Sequence, residues 1–397
     1  MTTRTHGADD SSRQRLPGGG LLLTGVTGYL GGQLLHEVLE TSDVSVTCLV
    51  RGENEQRARE NLLRKLTWYF PTTDWARHSP RFRVVVGDVC EPELGLPKRA
   101  YEELAATHRV IINAAANVSH VGAASAFFRV NTESVARLIE FARRGLPKQL
   151  HHISTLSVSG HFKGEEAPPI AAFEERHLEE GQAWPAPYAE SKHRAEVLMR
   201  QAFEAGLTGA VYRVGYIGPH SVSGRFQQNI HENFVASYVR ACVRLGFAPY
   251  LPDVKVRVTP VDAVARGILT LMTRGETRGK TFHVETPHEA TQYDIVRVLQ
   301  AAGYPVRLLL EPDFLDRAPR LSQDAESLAA LIPSETVHGV HVPIVSRETQ
   351  AELTRLGFEF PRFTSAWLGK FIQHAVEVGF IEAPRFWSLA PVVPDLL

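Results

Sequence analysis

Cysteine is nearly absent from this chain. Its three cysteines, Cys48, Cys90 and Cys242, are odd in number, widely spaced and free of any CxxC pair. That excludes a disulfide scaffold and a structural zinc site, and it fits a reducing, cytoplasmic setting. An excess of charge of either sign is also missing. The 43 basic and 44 acidic residues leave a formal net charge of −1, so nothing electrostatic draws the chain to nucleic acid or to an anionic membrane. Apolar runs of about 18 residues, the length needed to cross a bilayer, do not occur. Residues 1–20 are polar, lack the apolar stretch of a signal peptide and read as a disordered tail. There is no internal repeat. What remains is ordinary globular usage, 44% hydrophobic and 22% charged over 397 residues, ample for a large core and two or three structural units.

Short apolar runs alternate with helical periodicities along the first half. Leu21–Leu23, Val44–Val50, Arg83–Val86, Val110–Ala116, Leu150–Ser154 and Ala210–Arg213 read as strands. Helices are expected between them, including 53–69, a stretch with Val135, Leu138, Ile139 and Ala142 on one face, and 187–205. The strands are continuously apolar rather than alternating, the pattern of a parallel sheet buried on both faces. The expected fold class is therefore α/β, a doubly wound parallel sheet of the Rossmann type, with a smaller, mostly helical C-terminal substrate lobe. Prolines break the chain after about residue 215. Helices are expected at roughly 261–273, 291–302, 347–356 and 364–379, and a strand at Thr281–Glu285 is expected to return to the main sheet. The expected units are residues 21–215 with about 258–286 for the sheet, and 216–257 with 287–397 for the lobe.

Thr24-Gly25-Val26-Thr27-Gly28-Tyr29-Leu30-Gly31 follows the first strand and opens a helix. In the GxxGxxG spacing each glycine has its own physical role. Gly25 allows the tight turn, Gly28 the close approach of backbone to a diphosphate, and Gly31 the packing of helix on sheet. The phosphates would rest on free N–H groups at the positive end of the helix. Arg51 follows the second strand, where an NAD enzyme places an acid for the ribose hydroxyls. Its planar fork suits a 2′-phosphate and points to NADPH, and Arg59 is a further candidate. Asp88 and Val89 end the third strand and could meet the adenine. Ala114, Ala115 and Ala116 end the fourth, leaving room for ribose or nicotinamide.

Thr155 closes the fifth strand, and Tyr188 and Lys192 follow on one helix face. An ammonium near a phenol favours the phenolate and lowers its pKa. Thr155 could donate to a substrate carbonyl and help Tyr188 hold the developing oxyanion. The same Tyr188 and Lys192 would contact the nicotinamide ribose. Histidines offer no metal site: no pair with a carboxylate has zinc spacing, and His151 and His152 point to opposite faces of a strand.

These residues resemble an extended short-chain dehydrogenase/reductase. Within that superfamily the chain most resembles thioester reductase domains, which terminate nonribosomal peptide and polyketide synthetases and carboxylic acid reductases. The segments that carry the likeness are LLLTGVTGYLGGQLL, CLVRG, GDVCEPELGL, INAAANVSHV, HHISTLSVSG, YAESKHRAE, YRVGYIGP, VTPVDAVA and TFHVETP. The resemblance implies a Thr155–Tyr188–Lys192 triad, NADPH, and a thioester carried on the phosphopantetheine of a carrier protein, released as an aldehyde or, in some relatives, reduced on to the alcohol. With Met1 at its start and no adenylation or carrier segment, the chain is expected to meet that carrier in trans. Two departures stand out: Arg213-Val214-Gly215 replaces the relatives' common Arg-Pro-Gly, and Gly218-Pro219-His220-Ser221 differs from their usual run. A fatty acyl-CoA or acyl-carrier reductase, a reductase of free aldehydes or ketones, and a non-catalytic NADP-binding redox sensor are the competing readings.

Overall fold

The computed structural model describes residues 18–119, 122–163, 167–317 and 340–384. The expected tail lies outside these residues up to position 17; Gly18 and Gly19 precede the first strand, and Gly20 already belongs to it. Seven strands make one sheet: β1 (Gly20–Thr24), β2 (Val46–Val50), β3 (Phe82–Val86), β4 (His108–Asn113), β5 (Gln149–Thr155), β6 (Thr208–Val214) and β7 (Lys280–Val284). Their order is β7-β6-β5-β4-β1-β2-β3, and every pairing is parallel. The order reverses at β1, so a crevice opens beyond the carboxyl ends of β1 and β4, where a doubly wound sheet binds its ligand.

Leu21, Leu22 and Leu23 show why these runs are strands buried on both faces. All three are fully buried. Leu21 and Leu23 enter the core beneath α1 (Tyr29–Thr41), α2 (Glu55–Tyr69) and α7 (Val261–Arg274). Leu22 enters the opposite core, beneath α3 (Lys98–Thr107), α4 (Ser134–Ala142) and α5 (Pro187–Glu204).

A third core belongs to the lobe. It joins α6 (Phe234–Leu245), α8 (Gln292–Ala301) and α10 (Ser365–Glu377) around Phe226, Tyr238, Val296 and Phe371. Two departures from the sequence expectation appear here. Short strand pairs brace the helices, with Phe247–Pro249 parallel to Arg307–Leu309 and Lys255–Val256 antiparallel to Ala290–Thr291. And α9 (Arg347–Arg355) is not part of the lobe's core: Leu353 and Phe360 belong to the core beneath α1 and α7, because α9 packs on α7 and the Phe360 ring lies against Gly267 of that helix. Among the described residues no helix is long and apolar enough to cross a membrane.

Candidate active site

The glycine loop is shaped by steric demand. Gly25 adopts φ +70°, and a Cβ there would lie 2.3 Å from the Ala114 carbonyl. A Cβ on Gly31 would lie 2.1 Å from the Gly25 carbonyl oxygen. Both positions therefore require glycine, one for backbone conformation and one for close packing. Gly28 is exposed and caps α1 with its backbone alone, among the described residues no side chain bonds to the first N–H groups, and the first turn holds no acidic residue. The positive end of a 13-residue helix is thus open toward the crevice. A dinucleotide's diphosphate fits that arrangement, which a capping side chain or a Cβ on Gly25 would obstruct.

Around the loop, Thr24 Oγ1 donates to Asn113 Oδ1 at 2.6 Å, tying β1 to β4 at the edge of the crevice. Leu30 is buried in the α1 core. Tyr29 does something the sequence did not suggest. Its hydroxyl donates to the carbonyls of Arg225 (3.0 Å) and Gly218 (3.3 Å), and its ring packs on Tyr69 and Phe226, so the glycine loop is fastened to the lobe. Thr27 is half-buried in the loop, and the half-buried Ala114, Ala115 and Ala116 follow β4 at its carboxyl end, with the Ala114 and Ala115 backbone against Gly25. Asp88 Oδ1 accepts from the Cys90 N–H at 2.8 Å and so shapes its own loop, while the Val89 side chain is buried in the core, leaving only backbone to meet a ligand.

The two arginines behave differently. Arg51 is exposed immediately beyond β2, and among the described residues no hydrogen bond or ion pair holds it. Arg59 departs from the expectation that it faces the cofactor. Its guanidinium donates to Ser79 Oγ (2.6 Å) and to the carbonyl of Phe82 (3.2 Å) and lies over the Phe82 ring. Phe82 opens β3, at the end of the strand opposite the crevice, so Arg59 serves packing between helix and sheet. Its place on the second turn of α2 sets that direction.

The catalytic candidates converge where β5 meets α5. Pro187 starts α5, and the helix is docked by Asn131 Nδ2 donating to Ser191 Oγ (2.9 Å) and Thr132 Oγ1 donating to the Ser191 carbonyl (2.7 Å). Thr155 ends β5, its Oγ1 accepting from the Ser157 N–H at 3.2 Å. Tyr188 is half-buried one turn before Lys192. Lys192 is buried and donates to the Ile153 carbonyl at 2.8 Å. Burial raises the Tyr188 phenol above its ordinary value of 10, a shift opposed by a hydrogen bond with Thr155. Desolvation thus sets the direction, opposite to the lowering expected from the ammonium. Burial also lowers Lys192 to about 8, with the Glu196 carboxylate pulling the other way. The pair therefore rests as phenol and weakened ammonium.

Beneath this pair lies a network missed in the sequence. Glu196, one turn beyond Lys192, and Arg213 on β6 are each 1% exposed and form an ion pair at 2.8 Å. Ser154 Oγ donates to Glu196 Oε1 at 2.5 Å, and Arg213 also donates to the His177 carbonyl (2.7 Å) and to His283 Nε2 (3.1 Å). Burial and Arg213 push His283 down to about 3. The neutral ring donates through Nδ1 to the Val345 carbonyl at 2.7 Å, leaving Nε2 to accept from Arg213. The available signal was a lone arginine inside the apolar strand AVYRV, and a glutamate extending YxxxK by another turn. His151 and His152 are separately engaged, with Tyr212 and Asn113. Among the described residues no three His, Cys, Asp or Glu side chains gather to hold a metal.

Comparison with known proteins matches residues 23–268 to the NAD-binding family described as Male sterility protein (NAD_binding_4). The chain is 30% identical over 348 residues to the nonribosomal peptide synthetase asaC of Aspergillus flavus, covering 85% of this chain and 32% of that protein. It thus spans about a third of that synthetase, and less of others it matches. Among solved structures it superimposes on the terminal R domain from the myxalamid PKS-NRPS pathway with a TM-score of 0.81 and 28% identity, covering 95% of both chains. An archaeal thiolation-reductase di-domain gives a TM-score of 0.80 at 26% identity, covering 94% of this chain and 78% of that one.

Proposed function

We propose, from the premise that this chain belongs to the Male sterility protein family of NAD-binding reductases, that it reduces the thioester of an acyl or peptidyl group held on a carrier protein's phosphopantetheine and releases an aldehyde. The observation that carries the reading is Tyr188 and Lys192 on α5, beside Thr155 at the end of β5, on the same carboxyl edge of the sheet as the open glycine loop. Likeness to terminal reductase domains over nearly the whole chain supports it.

A nicotinamide cofactor held at the glycine loop would supply hydride for the thioester carbonyl carbon. Thr155 donates a hydrogen bond to the carbonyl oxygen. Tyr188 gives its proton to that oxygen as negative charge develops, yielding a hemithioacetal, and Lys192 stabilises the phenolate left behind. The carbon–sulfur bond then breaks, the hydroxyl proton passes to the departing thiolate, and aldehyde and carrier thiol leave. In the test, acyl-pantetheine and acyl-carrier thioesters are supplied with NADPH, with absorbance and product mass followed together. Cofactor oxidation matched by aldehyde or alcohol is expected; turnover of free ketones but never of thioesters rejects the reading.

Arg51 is the proposed basis for NADPH over NADH. A 2′-phosphate beside its exposed fork gains charge-assisted hydrogen bonds that a ribose hydroxyl cannot match. Arg51→Asp should cut kcat/KM for NADPH about 100-fold or more while changing that for NADH only a few fold. Equal losses for both cofactors would remove Arg51 as the discriminating residue.

A further inference from the structure

The basic residues of α2 have separate fates. Arg57 pairs with Glu53 at 2.9 Å, Arg59 is spent on Ser79 and Phe82, and Arg64 donates to Asn61. Lys65 alone turns toward the glycine loop. It lies between the buried Leu62 and Leu66, is itself half-buried, and donates to the Thr27 carbonyl at 3.3 Å. Among the described residues no carboxylate pairs with it. A half-buried ammonium whose partner is one neutral carbonyl is under-compensated, and an anion placed within its reach gains from it. The anion the neighbouring loop is shaped for is a diphosphate, because Thr27 precedes Gly28 at the uncapped end of α1. Backbone N–H groups there supply only partial charge, whereas a diphosphate brings roughly two full negative charges.

We propose that Lys65 is the cation that binds the dinucleotide's diphosphate, moving from the Thr27 carbonyl to a phosphate oxygen when the cofactor enters. This rests on the proposed nicotinamide dinucleotide site and deepens it. Two cations then divide the ligand: Arg51 reads the 2′-phosphate and Lys65 holds the bridge common to NADPH and NADH. The Lys65 stem stays against α2 while its head exchanges one acceptor for another, so no backbone need move.

Calorimetric titration of the full chain with ADP and with 2′-AMP separates the two phosphates. Lys65→Met keeps the stem and removes the charge. It should weaken ADP, NADPH and NADH binding about tenfold or more, the worth of one charge-assisted hydrogen bond, and leave 2′-AMP within about twofold. Lys65→Arg should restore most of the ADP affinity. Unchanged ADP binding in Lys65→Met overturns the proposal. So does an equal loss for ADP and 2′-AMP, which would mean the loop itself had been disturbed. A raised KM for the phosphopantetheine thioester with ADP binding intact also overturns it, by assigning Lys65 to the substrate's phosphate. Failure of the unaltered chain to bind any of the dinucleotides would instead strike the reading on which this rests.

Discussion

Tyr188→Phe should retain NADPH binding within about threefold and lose about 1000-fold or more in thioester turnover. The ring that packs at the start of α5 is kept; only the proton donor goes. Hydride addition to a thioester places negative charge on oxygen. Without an acid in reach the hemithioacetal oxyanion must wait for water in a half-buried site, which is the cost the substitution exposes. Single-turnover absorbance under saturating NADPH, with binding followed by fluorescence, separates the two effects. Retained turnover would require another acid, and Thr155, hydrogen-bonded to Tyr188, is the candidate. The pH profile of the unaltered chain should carry a matching signature. Lys192 must be charged to hold the phenolate that proton transfer leaves, and burial places its titration near 8. Thus kcat/KM falls as pH rises through about 8 and the ammonium is lost. The phenol lies above 10, so this limb belongs to the lysine. A profile flat to pH 10 would contradict the assignment.

The parts of the candidate site legible in sequence are those in which a local constraint dictates residue type. Gly25 and Gly31 are written into the chain because a Cβ at either place collides with backbone. Tyr188 and Lys192 are legible because helical spacing alone puts them on one face. The sheet was readable because Leu21–Leu23 and most residues of its companion strands are buried on both sides. The failures share a cause as well. Arg59 and Lys65 stand six residues apart on one helix with nothing in the local pattern to say which faces the loop. Their directions are set by Ser79, Phe82 and Thr27, which are distant in sequence. The Tyr29 bonds to Arg225 and Gly218 and the docking of Leu353 and Phe360 on the main core are contacts of the same long-range kind. The lobe's strands are two or three residues long, too short for a period to register.

Glu196→Ala should destabilise the chain by about 3–5 kcal/mol, because it leaves the Arg213 guanidinium buried without its counter-charge. The carbonyls of Glu175 and His177 and the neutral His283 ring would still accept from that guanidinium, but none carries charge. Thermal or urea unfolding measures the loss, and an unchanged midpoint would show that the pair contributes nothing. A second effect separates electrostatics from packing. The Glu196 carboxylate holds the Lys192 ammonium up against the pull of burial. Its removal should lower Lys192 further, so the alkaline limb of kcat/KM moves to lower pH. The double variant Glu196→Leu with Arg213→Met replaces both charges by apolar groups of similar bulk, and such replacements recover much or all of the stability of a broken buried pair. It should therefore regain the unfolding midpoint while keeping the displaced limb. If the limb returns together with stability, the pair acts only as a fastening between α5 and β6. If it stays displaced in a stable protein, Glu196 is a positioning residue that sets the charge state of Lys192 from one helical turn below.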